Sequence, residues 1–84
     1  MVLGEVVVMV KHFEVEGNLW CCDTVFNWVA TDSDGKVFLY QKKPFIREEK
    51  SYWTSGHCSS FDLQLPMIAC DKKNWRTSLA ELTL

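Results

Sequence analysis

The segment Trp28-Val29-Ala30-Thr31-Asp32-Ser33-Asp34-Gly35-Lys36-Val37-Phe38-Leu39-Tyr40 decides how this chain folds. Two runs of β-branched and aromatic residues, 28–31 and 36–40, flank four residues whose short polar side chains and glycine favour a tight reversal. The pattern predicts a β-hairpin. Asp32-x-Asp34-Gly35 also matches the opening of a calcium loop, but such a loop needs a further ligand before the glycine, a late Glu and flanking helices. Strands flank it here, so the two aspartates read as turn residues.

Working outward, strand signals dominate. The chain holds nine Val, two Ile and five Thr but three Ala, a balance that favours sheet over helix. Leu3 to Val15 reads as a first strand, closed by the turn Glu16-Gly17-Asn18. Leu19 to Thr31 reads as one long or bulged strand, with Asp23 or Asn27 as the point of irregularity. After Tyr40, the run Gln41 to Lys50 is predicted to be an exposed charged loop, because Pro44 lacks an N–H and biases Lys43 away from helix. Ser51 to Thr54 is a short strand ended by Ser55-Gly56. Phe61 to Ile68 is another, which Pro66 assigns to a sheet edge or shortens. Asp71 to Thr77 reads as a turn or single helical turn; over Ser78 to Leu84, Trp75, Leu79 and Leu82 fall at helical spacing, but the alternation of Ala80, Leu82 and Leu84 slightly favours a closing strand. The expected fold is therefore mainly β: a small, meander-like antiparallel sheet of about five or six strands, with one short C-terminal helical turn.

At 84 residues the chain has room for one domain, 1–84. Eleven aromatics, four of them Trp, supply a core large enough to hold without staples. The longest apolar-rich stretch, Val6 to Val10, is far short of a membrane span and lacks the basic lead of a signal peptide. A soluble, intracellular protein is expected, with its four cysteines as reduced thiols packed as small hydrophobes. Gly4-Glu5-Val6 ahead of Met9 is compatible with a purine-rich ribosome-binding sequence in the gene, which places an alternative translation start at Met9.

The net charge of −2 argues against generic binding to a nucleic-acid backbone. It conceals an asymmetry, however, because residues 1–41 hold two Lys against six acids and residues 42–84 hold seven basic residues against five acids. Lys42, Lys43, Arg47 and Lys50 fall in one run, and Lys72, Lys73 and Arg76 in another. No residue set specifies a reaction. His57, Cys58, Cys70 and the pair Cys21-Cys22 lack the C-x₂-C spacing of a zinc knuckle, and adjacent cysteines on a strand point to opposite faces. There is no Gly-rich phosphate loop. The expectation is a non-enzymatic protein with no catalytic residue, metal or cofactor. Its candidate partner-binding residues are Tyr40, Lys42, Lys43, Arg47, Tyr52 and Trp53, which combine aromatic and basic side chains around one loop.

Taken together, Trp28-x-Ala30-x-Asp32-x-Asp34-Gly35, Tyr40, Lys43-Pro44, Trp53, Gly56 and Trp75-Arg76-Thr77-Ser78-Leu79 resemble a group of short, largely uncharacterised proteins of tailed bacteriophages and prophages. The shared pattern is W-x-A-x-D-x-D-G, an aromatic strand, K-P, a Trp-Gly step and a closing W-[KR]-x-S-L. It covers roughly residues 28–82. The resemblance implies a phage accessory protein in the host cytoplasm that binds a host macromolecule, in the first place a host protein, and carries over no catalytic residue. The alternative is a single-stranded nucleic-acid binding module that uses the 41–53 loop. A homodimer through a sheet edge is a further expectation, since an open sheet exposes unpaired backbone groups.

Overall fold

The computed structural model of the protein describes residues 9–56 and 62–83. The fold is mainly β. Eight short strands are present among the described residues: β1 (Val10–Val15), β2 (Asn18–Asp23), β3 (Trp28–Thr31), β4 (Lys36–Tyr40), β5 (Phe45–Arg47), β6 (Tyr52–Thr54), β7 (Leu63–Ile68) and β8 (Ala80–Glu81). Two 3₁₀ turns, Glu48–Lys50 and Trp75–Thr77, complete the regular structure of the described residues. The strands form three antiparallel units rather than one meander: a central sheet in the order β7-β4-β3-β8, and two separate hairpins, β1-β2 and β5-β6. The residues before Met9, which include the apolar run 6–8, lie outside the described residues, as do His57, Cys58 and Phe61.

The β3–β4 hairpin forms as its sequence predicts, with Trp28 opposite Tyr40 and Thr31 opposite Val37. Its turn is closed by the Gly35 N–H donating to the Asp32 carbonyl at 2.9 Å and the Asp32 N–H to the Lys36 carbonyl at 2.8 Å. The Asp34 carboxylate accepts from the Lys36 N–H at 3.0 Å. Gly35 has φ +90°, and a Cβ there would lie 2.5 Å from Ile68 Cγ2 and 2.9 Å from the Ala69 carbonyl oxygen. The Ala69 N–H donates to the Gly35 carbonyl at 2.7 Å. Gly35 thus serves both the turn and the approach of the chain leaving β7.

Because side chains alternate across a strand, the central sheet buries both faces. Val29, Val37 and Leu39 face one way and pack with Cys22, Leu65, Ala69 and Leu82, and Phe13, Val15 and Trp20 of the β1–β2 hairpin cover them. Ala30 and Tyr40 face the other way and pack with Trp53 and Trp75, flanked by Trp28, Phe38, Ile46 and Leu79. The result is three layers, with one hairpin on each side of the central sheet. Three layers account for the number of strands exceeding five or six: a chain this short covers both faces of a sheet only with small hairpins.

The expected continuous strand from Leu19 to Thr31 is instead two strands in different units, separated at Thr24–Asn27. Asp23 ends β2, because its side chain accepts from the Val25 N–H at 2.9 Å and its carbonyl from the Phe26 N–H at 3.2 Å, a local alternative to the ladder. Asn27 then fixes the crossing. Its N–H donates to the Tyr40 carbonyl at 2.9 Å, and its carbonyl accepts from the Leu82 N–H at 2.8 Å. Its Oδ1 accepts from Lys11 Nζ at 2.7 Å. Lys11 is buried and also donates to the Phe26 carbonyl at 2.9 Å, so a cation inside the first hairpin secures that hairpin to the crossing.

Pro66 lies on an edge strand, as predicted. The β4–β7 register shifts around it, from Lys36 opposite Ile68 to Phe38 opposite Gln64, a bulge that accommodates a residue with no N–H. The segment 41–50 departs from the expected loop, since Phe45–Arg47 pairs with Tyr52–Thr54.

Glycine substitutions separate turn strain from close approach. A Cβ added at Gly17, where φ is +77°, would meet nothing within 4 Å, whereas one at Gly35 would be crowded. Gly17→Ala is expected to cost about 1–2 kcal/mol, the strain of a left-handed alanine. Gly35→Ala adds an overpacking cost of roughly 1–3 kcal/mol. Urea unfolding of the two variants measures the difference, and equal losses would remove the close-approach role of Gly35.

Candidate functional site

The six sequence-predicted residues separate into two sets. Tyr40 and Trp53 are core residues, 2% and 8% exposed, and so offer no face to a partner. Lys42, Lys43 and Arg47 are exposed or at the chain's outer surface and Tyr52 is half-buried. Alternation explains the division. In the β5–β6 hairpin Ile46 pairs with Trp53 and both point to the central sheet, while Phe45 opposite Thr54 and Arg47 opposite Tyr52 point outward.

The inward side anchors the hairpin through Trp53. Its backbone N–H donates to Asp32 Oδ1 at 2.8 Å, and its carbonyl accepts from the Tyr40 hydroxyl at 3.2 Å. Its indole Nε1–H donates to the Trp75 carbonyl at 2.9 Å. The Asp32 side chain is thus turned inward to the backbone of β6, which removes it as a ligand for a solvent cation. Burial pushes the Asp32 carboxyl above its ordinary value, partly offset by the Trp53 N–H. Burial, reinforced by the Asp32 and Asp62 charges, pushes the Tyr40 phenol far up, so its hydroxyl stays a donor.

The outward side presents Phe45, half-exposed at 51%, beside Arg47, Tyr52 and Thr54. The Phe45 ring lies over Gly56, where an added Cβ would meet it at 3.6 Å. Lys43 Nζ sits 5.3 Å from the centroid of the Trp28 ring, a cation–π contact that holds one cation near the hairpin's base. Arg76 joins the two basic runs: it packs over Trp75 at 4.7 Å and donates to Glu48 Oε2 at 2.7 Å. The hairpin therefore displays Phe45, Arg47 and Tyr52 outward, with exposed Lys42 and Lys43 in the segment that leads into it. Sequence reasoning misses Phe45 and counts Trp53, a core aromatic, among the partner-binding candidates instead. The signal that separates them is strand parity, which requires knowing that 45–47 is a strand.

A concavity of about 230 Å³ lies between β1 and the segment 71–80, with Glu14, Glu16, Asp71, Asn74, Thr77 and Ser78 among its lining. The Ser78 hydroxyl is engaged by the main chain, lying 2.7 Å from the Trp75 carbonyl and accepting from the Thr31 N–H at 2.8 Å. Glu16 Oε1 accepts from the Asp71 N–H at 3.3 Å. Among the described residues no three His, Cys, Asp or Glu side chains converge as metal ligands. Cys22 is a core residue, as expected of a buried thiol, whereas Cys21 and Cys70 are exposed. No helix among the described residues is long and apolar enough to cross a membrane.

The Asp32 anchor makes stability depend on pH with a definite sign. Its carboxyl titrates above 3.8 in the folded chain, so between that value and the raised one the folded state holds a proton that the unfolded state has released. Stability therefore falls as pH rises through this window and levels off below it. Asp32→Asn retains an acceptor for the Trp53 N–H and is expected to abolish that fall relative to the parent. Asp32→Ala leaves the N–H unpaired and is expected to cost about 1–3 kcal/mol at all pH values. Urea midpoints measured from about pH 4 to about pH 7, a span that brackets the upper carboxylate range, compare the three proteins. Parallel curves for parent and Asp32→Asn contradict the buried-carboxyl assignment. Comparison of the chain with protein-family models, with curated proteins and with solved structures found no match.

Proposed function

We propose that the chain is a non-enzymatic binding module that engages a host macromolecule, in the first place a host protein, through the outer face of the β5–β6 hairpin. The resemblance to phage and prophage proteins supports a phage accessory role in the host cytoplasm. The observation that carries the reading is Phe45: a large aromatic, half-exposed, beside Arg47 and Tyr52 on a hairpin fixed from beneath by Trp53. Aromatic residues and Arg are the side chains that most often dominate protein interfaces, and a rigid base lowers the ordering cost of binding.

A second reading follows from the same face. Phe45 and Tyr52 share a face with Arg47, and exposed Lys42 and Lys43 lead into the hairpin, a combination that suits stacking of unpaired bases along a basic track. The two readings differ in salt response, since displacing counterions from a nucleic acid makes affinity fall steeply with salt.

Capture from bacterial lysate on the tagged chain, repeated with Phe45→Ala and Arg47→Ala, tests the first reading. A specific protein retained by the parent and weakened by about 2 kcal/mol, roughly thirtyfold, in Phe45→Ala is the expected result. Retention that is indifferent to both substitutions refutes the assigned face. Salt-sensitive binding of a labelled single-stranded oligonucleotide, lost in the same variants, transfers the assignment to the second reading.

A further inference from the structure

The fold treats its strand edges unequally. On the central sheet, β7 carries Pro66 within a bulge. The opposite edge of β3 is covered by the two residues of β8 and then by the Ser78 hydroxyl, which accepts the Thr31 N–H. Such devices keep an edge from pairing with another chain. The outer edge of β2 has none of them. Across the β1–β2 hairpin a two-residue turn at Glu16 and Gly17, both at positive φ, closes Val15 opposite Asn18. The pairs that exchange backbone bonds are then 15 with 18, 13 with 20 and 11 with 22. The N–H and carbonyl groups of Leu19 and Cys21 consequently point away from β1, and no backbone bond among the described residues meets them. β2 contains no Lys, Arg or Pro, and its single charge is Asp23 at one end. Leu19 is 75% exposed, the most exposed of the large hydrophobics among the described residues.

We propose that β2 is a self-pairing edge, and that two copies of this chain join through it, antiparallel, about a twofold axis at Cys21. The four strands β1-β2 and their symmetry mates then form one continuous sheet. Charge selects this occupant and register. Centred on Cys21, each Asp23 lies opposite Leu19 of the other copy, and the two carboxylates are held apart by about four residues, ~13 Å along the strands. A strand with no cation offers nothing to an acidic peptide, whereas its own copy meets it without opposing like charges. Each outward-facing residue exchanges a pair of backbone bonds with its opposite number, and every such interface repeats across the axis, as closed twofold symmetry requires. This surface is on the other hairpin from Phe45 and stands independently of the partner assignment above.

The pairing sets the Cα atoms of the two Cys21 residues about 5.5 Å apart, within the range that a disulfide spans. The test uses the full chain carrying Cys58→Ser and Cys70→Ser. Diamide accepts the two electrons and two protons released when two thiols join. A covalent dimer is expected that dithiothreitol reverses and that adding Cys21→Ser abolishes. Sedimentation of the reduced parent is expected to give the mass of two chains. Leu19→Glu, which sets a second carboxylate opposite Asp23 of the other copy, is expected to give the mass of one chain with unchanged circular dichroism, whereas Leu19→Lys, which sets an ammonium opposite that carboxylate, is expected to keep the mass of two. A parent that sediments as one chain at every concentration to its solubility limit overturns the proposal. So does a dimer that survives Leu19→Glu, a dimer lost in Leu19→Lys, or cross-linking that persists without Cys21.

Discussion

Trp53 ties three parts of the molecule together. Its backbone N–H reaches Asp32 at the turn of the central hairpin, its carbonyl receives the Tyr40 hydroxyl at the far end of β4, and its indole reaches the carbonyl of Trp75. A hairpin of two three-residue strands, such as β5–β6, has too little ladder to stand alone in water. It persists because Trp53 and Ile46 bury their side chains on the central sheet while the polar groups beside them are paired. The same contacts hold Trp75, and with it the 3₁₀ turn whose Ser78 covers the edge of β3. The exposed face of the hairpin is therefore as rigid as its buried face.

Burying Asp32 to achieve this has an energetic consequence. A carboxyl taken out of water is raised in pKa, and the single N–H from Trp53 offsets only part of that desolvation. The partner is a backbone group on another strand, so the bond aligns β6 with the turn as well as pairing a donor. Trp28, Ala30, Asp32, Gly35, Trp53, Trp75 and Ser78 all belong to this network or adjoin it. Ala30, 1% exposed, packs in the same cluster as Trp53 and Trp75. These positions thus dock one hairpin and one chain end onto a sheet, and the outward residues of the hairpin lie outside the set.

The parts of the fold that are legible in the sequence are those decided locally. The hairpin at 28–40, its Asp-Gly turn, the edge position of Pro66 and the short helical turn near Trp75 follow from side chains that act on their own backbone. Three features are not legible. The break between β2 and β3 depends on Asn27 bonding to Tyr40, Leu82 and Lys11, residues distant in sequence. Phe45–Arg47 is too short to reveal itself as a strand, and its pairing with 52–54 is stabilised by what lies beneath. Without that strand its parity is hidden too, which is why Trp53 stands among the partner-binding candidates in place of Phe45. The basic residues Lys42, Lys43 and Arg47 are legible because long charged side chains remain in solvent under almost any arrangement.

The β5–β6 hairpin, locked onto the sheet through Trp53, does not open independently of it. Native-state hydrogen exchange at the Trp53 backbone amide tests this lock, because that N–H is held by the Asp32 carboxylate of the central turn. The opening free energy at Trp53 is expected to equal that of the Val37 and Leu39 amides in the core of β4. Exchange at Trp53 through a local opening well below the global unfolding free energy, with β4 still protected, would contradict it.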